Sequence, residues 1–500
     1  SLGEPTRQRP AMASPSSLIS FIPAFFLPLL SQVSFISPSP FHGSTDSIVS
    51  IPLSILPSNH LSPSLLPWQK LRYHVDASLI RAQRLKNPRS KLAAPPKTTV
   101  TVPLAAQDYG GYSISLAFGT PPQTLSFVLD TGSDVVWFPC TANYICNNCS
   151  FPSPNQRPRG IRSFLPRSSA SSRILGCSNP KCGWIHNLDA PSRCRNCNGD
   201  LKNCSQICQP YLLLYGSGYT GGVMLSETLN LPGKGRVPDF AVGCSLFSSR
   251  QPAGVAGFGR GASSLPSQLG LSRFSYCLVS HRFDDSGERG ALVLHSGGHA
   301  SGKKATGVSY TPFVRNPTGD DVFSEYYYVG LRRITIGGRR VKIPYKLLQP
   351  GIGGDGGGGT VVDVGASFTF MAGEIFNLVA KEFAEQVRGY ARAREIEALT
   401  GLSPCFNVSG AAAEGPALIP EMRFHFKGGA EMKLPLANYF SLVGGDGGAL
   451  CLTMVADSDL TGVGGGGPSV ILGNFQMQNF YVEYDIGNER LGFRPQRCNK

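Results

Sequence analysis

Apolar and polar residues alternate over short stretches through most of the chain after residue 109, as in β-strands with one buried face. Tyr112–Phe118 alternates in this way, Gly119–Pro122 has turn composition, and Thr124–Asp130 follows as a second strand. Two such runs around a tight turn predict a β-hairpin. Gly373–Ala393 is the exception, because its apolar residues recur every four positions and predict a helix. The pattern therefore predicts a protein of the all-β class, built mainly from strands.

One sequence pattern occurs twice in the same order. Phe127–Phe138 and Thr360–Phe370 each begin as an apolar strand that ends in Asp-x-Gly, with Asp130 and Asp363 as the acidic residues. More than 100 positions after each aspartate come two apolar residues and a glycine, in the runs Val255-Ala256-Gly257 and Ile471-Leu472-Gly473. Such a duplication predicts two lobes related by an approximate dyad, which would bring the two Asp-x-Gly loops together.

Two aspartates in hydrogen-bond reach have a characteristic chemistry. They cannot both ionise easily, so they share one proton and act as base and acid. A water between them can then attack a peptide carbonyl, while the protonated carboxyl stabilises the developing oxyanion. A lone Asp-x-Gly is ordinary turn chemistry, and only the duplication gives it weight.

Composition and charge narrow the function classes. The chain has 59 Gly and 39 Pro, and only 16% of its residues are charged, which argues against a coiled coil and against wholesale disorder. The net charge is +14, but residues 1–103 hold ten Lys/Arg against three Asp/Glu, and the remaining excess is diluted. No basic run with interleaved aromatics follows, so we expect no nucleic-acid partner.

The N-terminal region is expected to be removed. Leu18–Leu30 is uncharged and apolar but too short to span a bilayer, which is typical of a signal-peptide core. We assign residues 1–35 to upstream residues and signal peptide, and 36–100 to a prosegment and linker that is basic over Lys70–Lys97. Export would make the protein secreted and place it outside the cell. No later long apolar run or hydrophobic C-terminal tail exists, so we expect no stable membrane anchor.

All fourteen cysteines lie at or after Cys140, and in an exported protein they are expected to form disulfides. Two C-x-x-C spacings would suggest zinc in a cytosolic protein, and the histidines show no metal spacing, so we predict no metal site. Cys405 and Cys451 are isolated in the second half and are expected to pair, which leaves Cys498 for Cys277. The ten cysteines from 140 to 244 would form five further bridges. N-x-S sequons at Asn148, Asn203 and Asn407 are candidate glycosylation sites.

Several motifs together resemble the pepsin-like aspartic endopeptidases (peptidase family A1), and in particular their plant, nepenthesin-type branch. The resemblance covers about residues 105–500 and rests on these segments: Asp130-Thr-Gly-Ser133, Trp137, the cysteine-rich insertion at 140–208, Tyr215-Gly-Ser-Gly218, Val255–Gly261, Phe274–Leu278, Asp363-x-Gly365 and Ile471–Gln476.

The resemblance implies two β-barrel-like lobes, residues 101–307 and 308–500, with a central cleft and no cofactor. Asp130 and Asp363 would be the catalytic pair, with Tyr215 on a flap over the substrate and Trp137 supporting it. The surrounding catalytic loops would consist of Thr131, Gly132, Ser133 and Gly365. The prosegment would be inhibitory, and its basic charge would neutralise the carboxylates of the cleft. The substrate would be a protein or peptide, and the protein a monomer.

The second catalytic loop departs from the family pattern. A hydroxyl normally follows each aspartate and bonds across to the other loop, which Thr131 can do and Val364 cannot. Ser133 can donate to its aspartate, but the equivalent Ala366 cannot, which should raise the carboxyl pKa. We therefore expect an aspartic endopeptidase with weakened activity. The alternative is a non-catalytic binding protein on the same fold, like the plant xylanase inhibitors and related seed globulins.

Overall fold

A computed structural model describes most of the chain after residue 46. Its residues are 47–55, 66–86, 111–147, 149, 162–186, 194, 205–215, 218–233, 235–249, 253–280, 289–296, 304–317, 323–351, 357–409, 419–443, 448–456 and 467–498. They lie within one compact unit. The predicted signal peptide and the linker 87–100 fall outside them.

The described residues are mostly strands, which confirms the expected all-β fold of two related lobes. In the first half the strands are β1 Ser47–Ile55, β2 Tyr112–Phe118, β3 Gln123–Asp130, β4 Trp137–Pro139, β5 Ile145–Asn147, β6 Arg173–Ile174, β7 Tyr211–Tyr215, β8 Gly218–Leu231, β9 Gly235–Ser249, β10 Gly254–Gly257, β11 Leu271–Cys277 and β12 Arg289–Ser296. In the second half they are β13 Ser309–Pro312, β14 Tyr328–Val329, β15 Leu331–Ile336, β16 Arg339–Arg340, β17 Thr360–Val362, β18 Thr369–Met371, β19 Cys405–Asn407, β20 Met422–Phe426, β21 Glu431–Leu434, β22 Phe440–Val443, β23 Ala449–Leu452, β24 Met454–Ala456, β25 Val470–Leu472, β26 Phe480–Asp485 and β27 Arg490–Pro495.

The largest sheet joins strands of both halves. Its order is β13-β27-β26-β11-β12-β1-β2-β3-β10-β4-β9-β8-β6, with β5 beside β9 and β7 beside β8. Smaller sheets have the orders β14-β17-β25-β18-β24, β16-β15-β20-β21 and β19-β23-β22. The predicted hairpin is confirmed, since β2 and β3 are antiparallel and Phe118 pairs with Gln123 across the turn.

The internal repeat is a repeat of topology. β3, which ends at Asp130, pairs in parallel with β10, and Gly257 lies opposite Asp130. β17, which ends one residue before Asp363, pairs in parallel with β25. Each Asp-x-Gly loop therefore follows a strand whose parallel neighbour carries the later apolar-apolar-glycine run, a pairing that the sequence repeat did not itself predict.

Two elements form within the segment assigned as prosegment. β1 inserts between β12 and β2 and is antiparallel to both. Its alternate residues Val49, Ile51 and Leu53 are buried, as a strand with one face on the core requires. Residues Pro67–Lys86 form the long helix α1.

The other α-helices of the described residues are short, except for one. They span Gly183–His186, Leu265–Gln268, Tyr345–Leu348, Gly373–Gln386 and Arg394–Thr400. The helix predicted over Gly373–Ala393 does bury Ile375, Val379 and Phe383. Its predicted C-terminal end was wrong, because the helix stops at Gln386 and Gly389 takes a left-handed φ of 84°.

Disulfides are present in both lobes, and one joins the first lobe to the C-terminal segment. The structure forms the two predicted pairs, Cys405–Cys451 between β19 and β23 and Cys277–Cys498 between β11 and the C-terminal segment. The bridges described in the first lobe are Cys140–Cys244, Cys146–Cys149, Cys177–Cys194 and Cys182–Cys208. Cys197 and Cys204 lie outside the described residues, so the expected fifth bridge stays a prediction.

Candidate active site

Asp130 and Asp363 come together at the meeting point of the two repeated loops. Both side chains are buried, since 3% of Asp130 and 0% of Asp363 is exposed. Gly132 N donates to Asp130 Oδ1 at 2.9 Å, and Gly365 N donates to Asp363 Oδ1 at 3.0 Å. Each loop therefore holds its own carboxyl in the same way, which is the local symmetry that the repeat predicted.

The two glycines allow the loops to approach. A Cβ atom at Gly132 would lie 2.9 Å from Asp363 Oδ1, and one at Gly365 would lie 2.5 Å from Asp130 Oδ1. No side chain fits in either place, so glycine is required at both. Each carboxyl thus lies directly against the opposite loop.

Arg81 of α1 lies between the two carboxyls. Its Nε donates to Asp363 Oδ2 at 2.9 Å, and its Nη2 donates to Asp130 Oδ1 and, at 3.3 Å, to Asp363 Oδ1. Burial alone would lower the pKa of Arg81, but the charges of Asp130 and Asp363 raise it above its usual value. Arg81 therefore stays charged and occupies the space that a substrate carbonyl and a water would need.

The two loops differ in their hydroxyl bonds. Ser133 Oγ donates to Asp130 Oδ2 at 2.6 Å, whereas Ala366 offers Asp363 no donor. Thr131 Oγ1 accepts a hydrogen bond from Val364 N at 2.9 Å and donates to Val362 O at 3.4 Å. Val364 has no hydroxyl with which to return this bond, so the link between the loops is made from one side.

Burial raises the pKa of Asp363, and the nearby charge of Asp130 acts in the same direction. The Arg81 guanidinium and the Gly365 N–H act in the opposite direction. Asp130 instead accepts from the Ser133 hydroxyl and the Gly132 N–H, both of which stabilise a carboxylate. Of the two carboxyls, Asp130 is therefore the one that accepts from a side-chain hydroxyl, while burial favours the protonated form of Asp363.

Tyr215 and Trp137 meet as the resemblance implied. Trp137 Nε1 donates to the Tyr215 hydroxyl at 2.7 Å, and the two rings lie 6.1 Å apart between centroids. Burial, followed by the charge of Asp130, raises the pKa of Tyr215, so its hydroxyl stays protonated. Tyr215 ends β7, and Gly216 and Ser217 of the expected flap lie outside the described residues.

A second carboxyl pair, Asp134 and Glu325, lies beside the first loop and was missed by the sequence analysis. The two side chains hydrogen-bond each other, and Gly261 N donates to Asp134 Oδ1 at 2.9 Å. Burial raises the pKa of both carboxyls, and the charge of Glu325 raises that of Asp134 further. No local pattern indicates this pair, because Glu325 belongs to no motif.

The helix α1 contacts both lobes around Arg81. Ser78 Oγ donates to His74 O at 2.7 Å and accepts from Phe368 N, in the second lobe, at 2.9 Å. Arg84 Nε donates to Leu214 O, in β7 of the first lobe, at 3.2 Å. A helical stripe including Leu71, Val75, Ala82 and Leu85 is buried. The sequence predicted a helix only at Gly373–Ala393 and α1 was missed, although this apolar periodicity could have indicated it.

Other candidate positions carry no further site chemistry. His186 lies near the sulfurs of Cys182 and Cys208, but these sulfurs are joined to each other and are not thiolate ligands. Asn407 is exposed at the end of β19, and its glycosylation stays a prediction. Asn148 and Asn203 lie outside the described residues. No helix among the described residues has both the length and the apolar character needed to cross a membrane.

Comparison with known proteins matches both halves of the chain. Residues 112–295 match the family model described as Xylanase inhibitor N-terminal, and residues 326–495 match the one described as Xylanase inhibitor C-terminal. A probable aspartyl protease of Arabidopsis thaliana is 35% identical over 77% of this chain and 82% of its own length. Aspartic proteinase nepenthesin-2 of Nepenthes gracilis is 33% identical over 80% of each chain.

Solved structures share the fold at lower identity. The crystal structure of edgp has a TM-score of 0.58 and 17% identity, and the alignment covers 91% of this chain and 98% of that one. Basic 7S globulin from soybean has a TM-score of 0.56 and 15% identity, with 91% and 99% covered. The identity to the curated relatives and the two family models lead to one conclusion: the chain belongs to the pepsin-like aspartic protease family of plants.

Proposed function

We propose that the protein is a secreted aspartic endopeptidase that is made as a zymogen and hydrolyses peptide bonds with Asp130 and Asp363. The observation that carries this proposal is the close approach of the two carboxyls across Gly132 and Gly365. Only a buried pair at this spacing can share a proton and hold one water between its members. The flap tyrosine Tyr215, with its Trp137 partner, completes the set that the family chemistry requires.

In the proposed mechanism, Asp130 takes a proton from the water, which attacks the substrate carbonyl. Asp363, whose pKa is raised by burial, keeps its proton at acid pH and donates a hydrogen bond to the developing oxyanion. Asp130 then passes the proton that it took from the water to the leaving amine as the C–N bond breaks. The missing hydroxyls at Val364 and Ala366 would slow this step without removing any reacting group.

The zymogen part of the proposal rests on Arg81. While Arg81 bonds both carboxyls, no substrate can reach them. The Arg81 charge lowers the pKa of Asp363, opposing burial, so docking of α1 favours the ionised form of Asp363. By linkage, docking weakens as the pH falls and Asp363 takes up a proton. Acid conditions would release α1 and expose the pair.

We further propose export to the apoplast, or alternatively to the vacuole, and action as a monomer on protein or peptide substrates. The apolar run Leu18–Leu30 and the disulfide-rich first lobe support export. Expression of the full chain with a C-terminal fluorescent protein tests this, since deletion of residues 12–35 should retain the fusion in the cytosol.

The test of the enzyme proposal is digestion of a denatured protein at pH 3–6 by the acid-treated chain, with and without pepstatin. We expect cleavage that pepstatin abolishes. The absence of any pepstatin-sensitive cleavage by the processed protein would overturn the proposal.

A non-catalytic binding protein is the second candidate. It is favoured by the hydroxyl-poor second loop, Val364 and Ala366, and by structural neighbours titled as seed globulins, such as conglutin gamma from lupine. The two candidates differ in one outcome of the same assay. A binding protein would show no turnover even after α1 has been removed, although its cleft would be open.

A further inference from the structure

A cavity on the second lobe, away from the catalytic loops, is lined by cations and by an aromatic ring. Its volume is about 370 Å³, and we call it the basic pocket: Arg315, Arg332 and Lys427, with Tyr345, Leu348 and Pro350 as its less polar wall. The pocket is formed where β15, the turn at Lys427 and the helix Tyr345–Leu348 meet. A volume of this size holds a small organic ligand rather than a single inorganic ion.

Among the described residues, no carboxylate compensates the charge of the pocket. No described Asp or Glu lines it, and none of its three cations forms a salt bridge within that part of the chain. Elsewhere on this lobe, by contrast, Arg423 and Lys433 both bond Glu421, at 2.6 and 2.8 Å. Cations without counter-charges around a concavity repel one another, and an anionic ligand relieves that repulsion.

The positive charge continues beyond the pocket along the chain. Residues 331–346 contain no acidic residue, and all their cations are exposed. We call these cations the basic strip: Arg332, Arg333, Arg339, Arg340, Lys342 and Lys346. The one salt bridge described for the strip is the loose contact of Arg339 with Glu382 at 3.7 Å. The strip shares Arg332 with the pocket, and a ligand that carries several negative charges can pair with more of these exposed cations than a single anion can.

The wall of the pocket favours a ligand with rings. Tyr345 is 47% exposed, and its hydroxyl accepts from both Arg332 Nη1 and, at 2.6 Å, Gln349 Nε2. The Arg332 guanidinium lies 5.5 Å from the Tyr345 ring centroid. The Tyr345 ring is thereby fixed beside the Arg332 guanidinium, which can donate two hydrogen bonds. The ring can pack against a sugar ring while the guanidinium binds the carboxylate of that sugar.

We propose that the basic pocket and the basic strip bind an acidic oligosaccharide, a chain of uronic-acid units. Each unit combines a carboxylate for the cations with a ring face for Tyr345, Leu348 and Pro350, and its repeat supplies the strip. A small inorganic anion would leave the apolar wall unused, and a neutral glycan would leave the cations uncompensated. This binding is independent of Asp130 and Asp363, so it holds whether or not the protein is a peptidase.

Calorimetric titration of the full-length protein with a galacturonic-acid decamer at low salt tests the proposal. We expect saturable binding that weakens as salt is raised. The variant Arg315→Ala, Arg332→Ala, Lys427→Ala should bind roughly tenfold or more weakly. The matched control Arg162→Ala, Arg167→Ala, Arg236→Ala removes the same charge from exposed sites of the first lobe and should bind as the wild type does.

Further variants separate the pocket from general charge attraction. Tyr345→Ala, which changes no charge, should weaken the decamer several-fold, and a neutral glucose oligomer should not bind. Equal losses in the pocket and control variants would overturn the proposal, as would an unaffected Tyr345→Ala or competition by inorganic phosphate at equal affinity. If the pocket variant does not fold, the single exposed substitutions Arg315→Ala and Lys427→Ala answer the same question. Each should bind more weakly than Arg236→Ala.

Discussion

Arg81 Nε donates to Asp363 Oδ2 at 2.9 Å, across 282 positions of sequence, and this contact joins the helix α1 to the candidate catalytic pair. Only 12% of the Arg81 side chain and none of the Asp363 side chain is exposed. Breaking one side of a buried ion pair costs about 3–5 kcal/mol, because the other charge is left uncompensated. The contact therefore both seats α1 and depends on the ionisation of the carboxyls.

The first prediction concerns this contact. Arg81→Ala should weaken the docking of α1, so that peptide hydrolysis appears at pH 5–6 without prior acid treatment. The half-buried Arg72 on the same helix pairs only with Asp76 among the described contacts, and Arg72→Ala is the matched control. Hydrolysis is measured directly after purification at neutral pH. If Arg81→Ala and Arg72→Ala need the same acid step, Arg81 is not the inhibitory group.

The second prediction concerns Val364. Thr131 Oγ1 already accepts from Val364 N at 2.9 Å, and Val364→Thr supplies the missing hydroxyl at nearly constant shape. One buried hydrogen bond contributes about 0.5–1.5 kcal/mol, so kcat should rise about two- to tenfold if the bond rigidifies the loop. Val364→Ala, which adds no hydroxyl, should not raise kcat. An unchanged or lower kcat for Val364→Thr would show that the one-sided link does not limit catalysis.

The third prediction concerns the pH profile. Burial raises the pKa of Asp363, and Ala366→Ser would add a donor to its charged form, as Ser133 does for Asp130. The pKa of Asp363 should therefore fall. Because Asp363 is the protonated partner, the alkaline limb of kcat/KM should move to lower pH. Ala372→Ser adds the same hydroxyl away from the pair and should leave the limb in place, whereas a shift to higher pH in Ala366→Ser would contradict the assignment.

The fourth prediction concerns Asp134 and Glu325. Their pKa values are raised by burial, so their contribution to stability is complete below the unfolded carboxyl pKa of about 4 and is lost as pH rises through the folded values. Glu325→Gln leaves Asp134 as the one ionisable group of the pair, beside a glutamine that carries no charge. The loss of Tm between pH 4 and pH 7 should then shrink by about 2–4 °C.

The control for the Asp134–Glu325 pair is an exposed carboxyl. Glu385, half of whose side chain is exposed, pairs loosely with Lys381, and Glu385→Gln should leave the pH dependence of Tm unchanged. Parallel curves for Glu325→Gln and the wild type would mean that the pair does not ionise in this range.

Much of the site follows from local sequence. The hairpin β2–β3, the duplicated loops at Asp130 and Asp363, and the pairing of Cys405 with Cys451 were all predictable, because alternation, repetition and isolation are visible along the chain. The role of Arg81 was not, since a single basic residue in a basic segment has no motif and its partners lie far away in sequence. The strand β1 was visible only as the alternation of Val49, Ile51 and Leu53.

Other features depended on tertiary contacts. The pair Asp134 and Glu325 forms because the segment before β14 packs on the loop after β10, where Arg260 N donates to Glu325 O at 3.0 Å. The end of the helix at Gln386 was not predicted, because the apolar period continues past the point where the backbone turns. Gly389, with its positive φ, is the one local sign of that end. Local pattern fixed the elements, and their contacts over long sequence separations decided the chemistry.

The central claim is that Asp130 and Asp363 perform hydrolysis once Arg81 has left. The most direct measurement compares the rate of peptide hydrolysis at pH 4 by the acid-processed wild type with that of Asp130→Asn, purified identically and with α1 removed in both by the same added protease. We predict clear turnover by the wild type and a loss of at least about a thousandfold in the variant, because Asn cannot take the proton from water. Equal rates in the two proteins, or no turnover in either, would contradict the account.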